Sequence, residues 1–322
     1  MQSAQSRRYD RGKHAGTRVI RDGKQMASKF ILHMITPLKH MSPFDVNMAL
    51  DAGFDAALPY TNVDAKEVTG LVQDAMFSRP PQDAVRTGIF IGGRDAILAL
   101  DMLDAGKKAL FKPFELSIFA DPAGSFTTAA AMVACVEKLL KKEFKRELKG
   151  TKIVVYGATG VVGFTSGVIA SLEGAAVTLA GYDGAERVER AAQEIKTRFD
   201  TSVKAADAST PDKIRSLLQQ SEIALCAGRA GVQILSEADV KAAGGLLVAA
   251  DVNAVPPAGV AGLDPQNKGD PLDGAKVRGI GALAIGNVKY QTESGLFKRM
   301  VEAKEALALD FRDAFRLARE IA

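Results

Sequence analysis

Three glycines spaced three residues apart, Gly157, Gly160 and Gly163, follow an apolar run in the stretch KIVVYGATGVVG. A strand that enters such a loop before a helix is the usual setting for binding the pyrophosphate of a dinucleotide. Glycines allow the tight turn and the close approach of backbone N–H groups, and the positive helix end attracts phosphate. The spacing departs from G-x-G-x-x-G, so glycines that serve only as turns are the alternative. We predict a dinucleotide-binding loop formed by Gly157, Ala158, Thr159, Gly160, Val161, Val162 and Gly163.

An acidic residue follows this loop at the distance expected for recognition of a ribose. Asp183 lies 20 residues after Gly163, where a carboxylate accepts hydrogen bonds from the ribose hydroxyls of NAD. Its charge would repel the 2′-phosphate of NADP, and Arg187 would offset part of that repulsion. We therefore expect NAD as the cofactor, with NADP tolerated. A later apolar run ends in CAGRAG, which brings Ala227 and Gly228 beside the cofactor.

The residue types that usually transfer protons or bind metals form no recognisable constellation. His14, His33 and His40 have no metal-ligand spacing, and Cys135 and Cys226 lack the context of a nucleophile. Oxidation of an alcohol requires a base, because a proton leaves along with the hydride. Oxidation of a methylene bridge between two nitrogens requires none, because the nitrogen lone pairs stabilise the product cation. The sequence thus favours a reaction in which two rings only have to be held face to face.

Alternating apolar and amphipathic segments predict the elements that position these residues. Strand-like and helix-like runs alternate between residues 30 and 120, and a second series begins at Thr151. This alternation is typical of βαβ units and a parallel sheet. A long helix near 126–148 connects the two series, and two amphipathic helices near 290–303 and 305–321 can pack back on the first domain. We predict an α/β fold of two domains, a parallel α/β substrate domain (26–148 plus 290–322) and a Rossmann-type dinucleotide-binding domain (149–289).

The composition is that of a water-soluble protein with a basic N-terminal segment. Of the 322 residues, 47% are hydrophobic and 25% charged, and no apolar run suggests a transmembrane segment. Seven of the 42 Lys and Arg residues fall within residues 1–25, which we expect to be a disordered basic tail. The remainder, with 35 basic and 36 acidic residues, is nearly neutral. A nucleic-acid or membrane role for the tail is the alternative, but no aromatic or apolar periodicity accompanies its charges, so we expect no such partner. Two cysteines without CxxC spacing indicate a reducing compartment, the cytoplasm.

Five segments carry more information than the glycine loop: ILHMITPLKHMSPFDVNMALDAGF, RTGIFIGG, FADPAGSFTTAAAMV, LLVAADVNAVPPAGVAG and GIGALAIGNVKYQ. From about Met26 to Ala322 the chain resembles the NAD(P)-dependent methylenetetrahydromethanopterin dehydrogenases of bacteria that oxidise C1 compounds. The resemblance implies a substrate domain and a Rossmann domain, with the pterin in the cleft between them. It also implies hydride transfer from methylene-tetrahydromethanopterin to NAD or NADP, without a metal, as a step in formaldehyde oxidation.

The resemblance assigns pterin-side positions to Asp45 in SPFDVN, Thr128 in SFTTAAA and Lys289 in IGNVKY. Each residue also has a structural explanation by position alone. Asp45 could be an acid in the first turn of a helix, Thr128 could be an N-cap, and Lys289 could be a solvated lysine. Because no proton leaves in this reaction, we expect Lys289 to orient the pterin and not to act as a base. Asn253 is expected to line the nicotinamide end of the cleft; the alternative is an Asx turn before Pro256.

Two other functions stay open at this point. A methylenetetrahydrofolate dehydrogenase, or another small-substrate dehydrogenase of the shikimate type, would use the same cleft with a different substrate. A non-catalytic NAD sensor would need only the Rossmann domain, so the second α/β domain argues against it. A relative restricted to NADP carries basic residues where this chain has GYDGAER, which favours NAD here. We expect a tetrahydromethanopterin-type substrate and a homo-oligomer.

Overall fold

The computed structural model describes residues 28–322 with the exception of Asp273. The predicted tail, residues 1–25, lies outside the described residues. The strands are β1 (Ile31–Ile35), β2 (Ala56–Tyr60), β3 (Thr87–Ile91), β4 (Ser117–Ala120), β5 (Lys152–Tyr156), β6 (Ala176–Gly181), β7 (Lys204–Asp207), β8 (Ile223–Cys226), β9 (Val248–Asp251), β10 (Lys268–Pro271), β11 (Arg278–Ile280) and β12 (Ala308–Leu309). The α-helices are α1 (Pro43–Asp51), α2 (Val68–Phe77), α3 (Ala96–Ala109), α4 (Ser125–Leu139), α5 (Val161–Leu172), α6 (Glu186–Phe199), α7 (Pro211–Gln219), α8 (Glu237–Ala242), α9 (Ala282–Glu302) and α10 (Phe311–Ile321).

The first sheet consists of five parallel strands in the order β12-β4-β3-β1-β2. Every residue of β3 and β4 is buried, because helices cover both faces of a parallel sheet, and this explains why these segments read as continuous apolar runs. In β1, Ile31 lies opposite Ala56 on one side and Thr87 on the other. Strand β12 pairs with β4, so a segment near the end of the chain completes the sheet that the first segments begin.

The second sheet has seven strands in the order β10-β11-β9-β8-β5-β6-β7. All neighbours are parallel except β10 and β11, which are antiparallel. The chain moves outward from β5 through β6 to β7 and then returns to β8 on the other side of β5. This reversal opens a crevice at the carboxyl ends of β5 and β8, where dinucleotides bind in Rossmann folds. The predicted α/β class with a Rossmann-type domain is therefore confirmed.

Helix α4 packs on α5 in the second domain and on α9 and α10. It gives way at Leu140 to a π-helical turn that ends at Phe144, so it is shorter than the helix predicted for 126–148. The stretch Pro122–Phe144 has the length and hydropathy of a membrane span, but 78% of its most apolar window is buried inside the protein. We expected no apolar run of membrane-spanning length, so this stretch is longer than predicted. Its apolar composition is explained by packing against helices on several sides.

Helix α9 begins at Ala282 and not near residue 290 as predicted. It is preceded by Gly281, where a Cβ would lie 2.2 Å from the carbonyl oxygen of Asp264, so the entry to the helix requires glycine. The earlier start makes Lys289 the eighth residue of α9. This lysine therefore lies well inside the helix, not at its solvated beginning.

A partly buried ion pair joins α10 to α4. Arg319 donates through Nε to Glu137 Oε2 (2.7 Å) and through Nη2 to Oε1 (2.9 Å), and Lys141 donates to Oε1 (3.0 Å). Burial favours the neutral form of Glu137, but these hydrogen bonds outweigh it and hold the pKa of the carboxyl below its ordinary value. The pair therefore contributes stability at neutral pH that is lost as the carboxyl becomes protonated in acid.

Arg319→Ala is expected to lower the free energy of unfolding by about 1–3 kcal/mol at neutral pH, because Glu137 keeps only Lys141 as a partner. The difference from wild type should shrink as the pH falls below about 4, where carboxyls are protonated in the unfolded chain. Urea denaturation at neutral pH and at a pH below about 4 measures the loss of stability and its dependence on pH. Arg316→Ala, at an exposed position of the same helix, is the matched control and should cost less than about 0.5 kcal/mol. Equal losses for the two variants would contradict this account.

Candidate active site

The three residues assigned to the pterin side lie on three different helices. Asp45 is in the first turn of α1, which Ser42 caps by accepting a hydrogen bond from the Asp45 backbone N–H (3.4 Å). Thr128 is in the first turn of α4, where its hydroxyl donates to the carbonyl oxygen of Gly124 (2.6 Å). Lys289 comes from α9, which packs on both α1 and α4. The fold thus brings together side chains that are far apart in the sequence.

The Lys289 ammonium is held on three sides. Its Nζ forms an ion pair with Glu293, one helical turn later. It also lies 3.9 Å from the centre of the Phe44 ring, within the range of a cation–π interaction. On the third side is Gly124, where a Cβ would lie 2.7 Å from Nζ, so a larger residue there would require the ammonium to move. The lysine side chain is only 13% exposed, so its direction is fixed by the protein.

A second buried carboxyl, that of Asp121, is anchored at the start of α4. It accepts hydrogen bonds from the backbone N–H groups of Phe126 (2.8 Å) and Thr127 (3.3 Å) and from the Thr127 hydroxyl (2.6 Å). Burial raises the pKa of Asp121, while the charge of Lys289 and these hydrogen bonds act in the opposite direction. Asp121 therefore has donors that suit its ionised form.

Asp45 and Glu293 are buried with fewer donors. The Ser42 side chain hydrogen-bonds to Asp45, and the Lys289 ammonium donates to Glu293. Burial raises the pKa of Asp45 to about 7, and the charge of Asp121 adds to the shift while Lys289 opposes it. Burial and Asp121 likewise raise the pKa of Glu293 to about 8. Asp45 Oδ2 and Glu293 Oε1 have no hydrogen-bond partner among the described residues. Three carboxyls thus surround one ammonium, and we call Asp45, Asp121, Lys289 and Glu293 the carboxyl–lysine cluster.

Two members of this cluster, Asp121 and Glu293, were missed in the sequence. The signal for Glu293 was its spacing of four residues from Lys289, which on most helices marks an exposed ion pair. The signal for Asp121 was its place at the end of the apolar run LSIFA, where the carboxyl end of a parallel strand meets its neighbours. Neither pattern reveals burial, so neither indicated a site.

The glycine loop after β5 has the close contacts expected of a dinucleotide site. Gly157 has a φ of +74°, and a Cβ there would lie 2.2 Å from the carbonyl oxygen of Ala227, the residue that follows β8. A Cβ at Gly163 would lie 2.4 Å from the carbonyl oxygen of Gly157. Only glycine fits at either position. Helix α5 begins at Val161, so the N–H groups of its first turn, including Val162 and Gly163, lack partners within the helix and face the crevice end of β5.

Asp183 and Arg187 are brought together beside this loop. Arg187 Nη1 lies 3.1 Å from Asp183 Oδ2 and 3.2 Å from the Tyr182 hydroxyl. Arg187 also lines a cavity of about 360 Å³ together with Thr159, Gly160 and, from the other domain, Arg94. A guanidinium that leaves Asp183 would thus be available to a phosphate in this cavity.

The Asn253 side chain is engaged in the loop after β9. Its Oδ1 accepts from the N–H groups of Val255 (2.9 Å) and Gly231 (3.3 Å), and its Nδ2 donates to the carbonyl oxygen of Pro257 (2.9 Å). The first of these bonds is the Asx turn that was the alternative interpretation. Contact with a nicotinamide stays a prediction for Asn253, as it does for Gly228 in the neighbouring loop.

Comparison with known proteins gives the same assignment over most of the chain. A profile described as methylene-tetrahydromethanopterin dehydrogenase, N-terminal, matches residues 43–123. The chain is 57% identical over 295 residues to an NAD(P)-dependent methylenetetrahydromethanopterin dehydrogenase of Methylorubrum extorquens. The alignment covers 92% of this chain and 99% of the relative. The bifunctional protein MdtA of the same organism is 33% identical over 281 residues, with 87% and 95% covered.

Solved structures support the fold alone. An NAD-dependent malic enzyme from Thermotoga maritima superposes with a TM-score of 0.57 at 13% identity, covering 90% of this chain and 84% of that chain. The resemblance read from the five sequence segments is confirmed by the level and extent of identity to the Methylorubrum relative. The chain belongs to the NAD(P)-dependent methylenetetrahydromethanopterin dehydrogenase family.

Proposed function

We propose that this protein transfers a hydride from methylene-tetrahydromethanopterin to NAD⁺ or NADP⁺ and so forms methenyl-tetrahydromethanopterin in the oxidation of formaldehyde. The observation that carries the proposal is that Thr128 and Lys289 meet at Gly124 and that Asp45 lies close to Lys289, in a chain that also contains a dinucleotide loop. Membership of the family supplies the substrate class and the hydride acceptor.

The reaction breaks one C–H bond of the methylene carbon and delivers its hydrogen, with both electrons, to the nicotinamide ring. The nitrogen lone pairs of the substrate take up the positive charge, and no proton leaves. The site therefore needs no general base. It needs fixed geometry and an electrostatic environment that tolerates a cation. The carboxyl–lysine cluster meets the second need, because its single ammonium is outnumbered by carboxyls.

Within this scheme, Lys289 orients the pterin. An unpaired ammonium beside a forming cation would oppose the reaction, and its ion pair with Glu293 offsets that charge. The ammonium has three N–H groups and one carboxylate partner, Glu293, so it can donate a further hydrogen bond to an acceptor on the substrate. Thr128 donates to Gly124 and keeps its oxygen lone pairs for a donor of the pterin.

A nicotinamide absorbance assay tests the function directly. Purified protein is mixed with NAD⁺ or NADP⁺ and with either methylene-tetrahydromethanopterin or methylene-tetrahydrofolate. Turnover with the methanopterin compound is the expected result. Faster turnover with the folate compound would instead indicate a methylenetetrahydrofolate dehydrogenase. Binding of NAD without turnover of either substrate would indicate a sensor.

We also place the protein in the cytoplasm and expect a homo-oligomer. Cys135 and Cys226 are free thiols, in keeping with a reducing compartment.

Three aromatic rings, those of Phe77, Phe111 and Phe114, form a cluster in which Phe77 is 57% and Phe111 45% exposed. Exposed aromatic clusters often mark an interface, and this one is suited to a second copy of the chain. Sedimentation of the wild type and of Phe77→Ser would show whether it is used.

Lys289→Ala is expected to reduce kcat/KM for the pterin substrate about 10- to 200-fold, the equivalent of one charged hydrogen bond of about 1.5–3 kcal/mol. The KM for NAD should change little, because the lysine is predicted to lie on the pterin side. Lys289→Arg should recover part of the loss, since the planar guanidinium keeps the charge but not the reach. Lys298→Ala, at an exposed position of the same helix, is the control. A wild-type rate that rises with pH near neutrality, in a limb that Lys289→Ala abolishes, would mean that the lysine is a base.

Asp183→Ser is expected to shift the ratio of kcat/KM for NADP over NAD toward NADP. The variant removes a carboxylate whose repulsion of a 2′-phosphate reaches about 3 kcal/mol at about 5 Å, before screening, and it releases Arg187 from its ion pair. The KM for NADP should fall and that for NAD should rise. Glu189→Ser removes the same charge from an exposed position further along α6 and should leave the ratio near that of the wild type. If Asp183→Ser also leaves it unchanged, Asp183 does not contact the ribose.

A further inference from the structure

The carboxyl–lysine cluster presents an imbalance of charge. If all of its carboxyls were ionised, three negative charges would share one ammonium at buried positions: Asp45 is 2% exposed, and Asp121 and Glu293 are fully buried. Buried charges without partners are strongly disfavoured, and closely spaced carboxyls respond by keeping a proton. At least one carboxyl of this cluster is therefore expected to be neutral when the protein is free of ligands.

The hydrogen bonds indicate which carboxyls hold the proton. Asp121 accepts from three donors at the start of α4, and such donors favour the ionised form. Asp45 Oδ2 and Glu293 Oε1 have no donor among the described residues, and both carboxyls belong to the buried cluster around Lys289. Two ionised carboxyls cannot hydrogen-bond to one another, because neither carries a hydrogen. One proton between them would supply the missing donor.

We propose that Asp45 and Glu293 share one proton, so that the pair carries a single negative charge, and that Glu293 is the positioning residue that fixes Lys289. The charged groups that face Glu293 come from three elements: Asp45 on α1, Asp121 at the turn after β4, and Lys289 on its own helix. With the proton in place, Asp45 and Glu293 attract each other and the ammonium stays over Gly124. When the proton leaves, Asp45 and Glu293 repel each other, and Lys289 loses its fixed direction.

Infrared spectroscopy of the ligand-free protein tests the proton without any substrate. A carbonyl stretching band of a protonated carboxyl, shifted by H/D exchange, should disappear in one step as the pH rises from about 5 to about 10. The band should be missing at neutral pH in both Glu293→Gln and Asp45→Asn, because the amide then donates to a carboxylate. Glu302→Gln, the same change at an exposed position of α9, should keep it. Absence of the band in the wild type, or its loss in only one of the two cluster variants, would overturn the shared proton.

Kinetics tests the positioning role, which rests on the proposed function. In the wild type, kcat/KM for the pterin substrate should fall on the alkaline side as the shared proton is lost, since a raised carboxyl pKa means that the proton stays bound up to neutral pH. Glu293→Gln keeps the charge of the protonated pair and should abolish this alkaline fall. The leucine of Glu293→Leu can neither donate nor accept a hydrogen bond. The kcat/KM of this variant should therefore be about tenfold or more lower than that of Glu293→Gln, with the KM for NAD little changed.

The possible outcomes distinguish a failure of the positioning role of Glu293 from a failure of the proposed function. An alkaline fall that is the same in Glu293→Gln and in the wild type would overturn the positioning role of Glu293. Equal activity of Glu293→Leu and Glu293→Gln would do so as well. If the pterin substrate is not turned over at all, the proposed function fails, while the infrared result still decides whether the proton is shared. Thermal melts of each variant exclude loss of folding as the cause.

Discussion

The site depends on a single buried ammonium and on the cost of burying it. A charge removed from water is tolerated only with close partners, and Lys289 has Glu293 one turn away and the Phe44 ring beside it. These partners explain the local backbone. Gly124, with a φ of +62°, leaves the space that the ammonium fills. Any larger residue at this position would displace the lysine from its partners.

Helix α4 connects this electrostatic site to the rest of the fold. Its first turn holds Asp121 and presents Thr128, and its body packs against α5, which begins at the glycine loop. The same helix therefore carries Thr128, a predicted pterin-side residue, at its N-terminus and packs along its length on the helix that follows the predicted dinucleotide loop. Its apolar composition is a consequence of contacts on several sides. A packed helix shared by both sites would help to hold a hydride donor and a hydride acceptor in a constant relation.

The chemistry expected of the family suits a site of this kind. Hydride loss from a carbon between two nitrogens needs orientation and a suitable electrostatic field, but no acceptor for a proton. Side chains with raised pKa values usually indicate acid–base catalysis, and here Asp45 and Glu293 have pKa values near neutrality for another reason. They are carboxyls crowded around one cation at buried positions. Their titration governs the geometry of Lys289 and takes no part in the bond that breaks.

The sequence by itself determined the α/β class, the Rossmann-type domain and the glycine loop, because these follow from local periodicity and from spacings along one segment. The resemblance added Asp45, Thr128 and Lys289, although position alone left each with an ordinary structural explanation. Only the tertiary structure decided that Asp121 and Glu293 belong with them, and that the Asn253 amide closes a turn. Burial is the physical reason. An acid four residues after a lysine has the same sequence pattern on an exposed helix face as in a core, and the difference arises from the strands and helices that the fold packs against it.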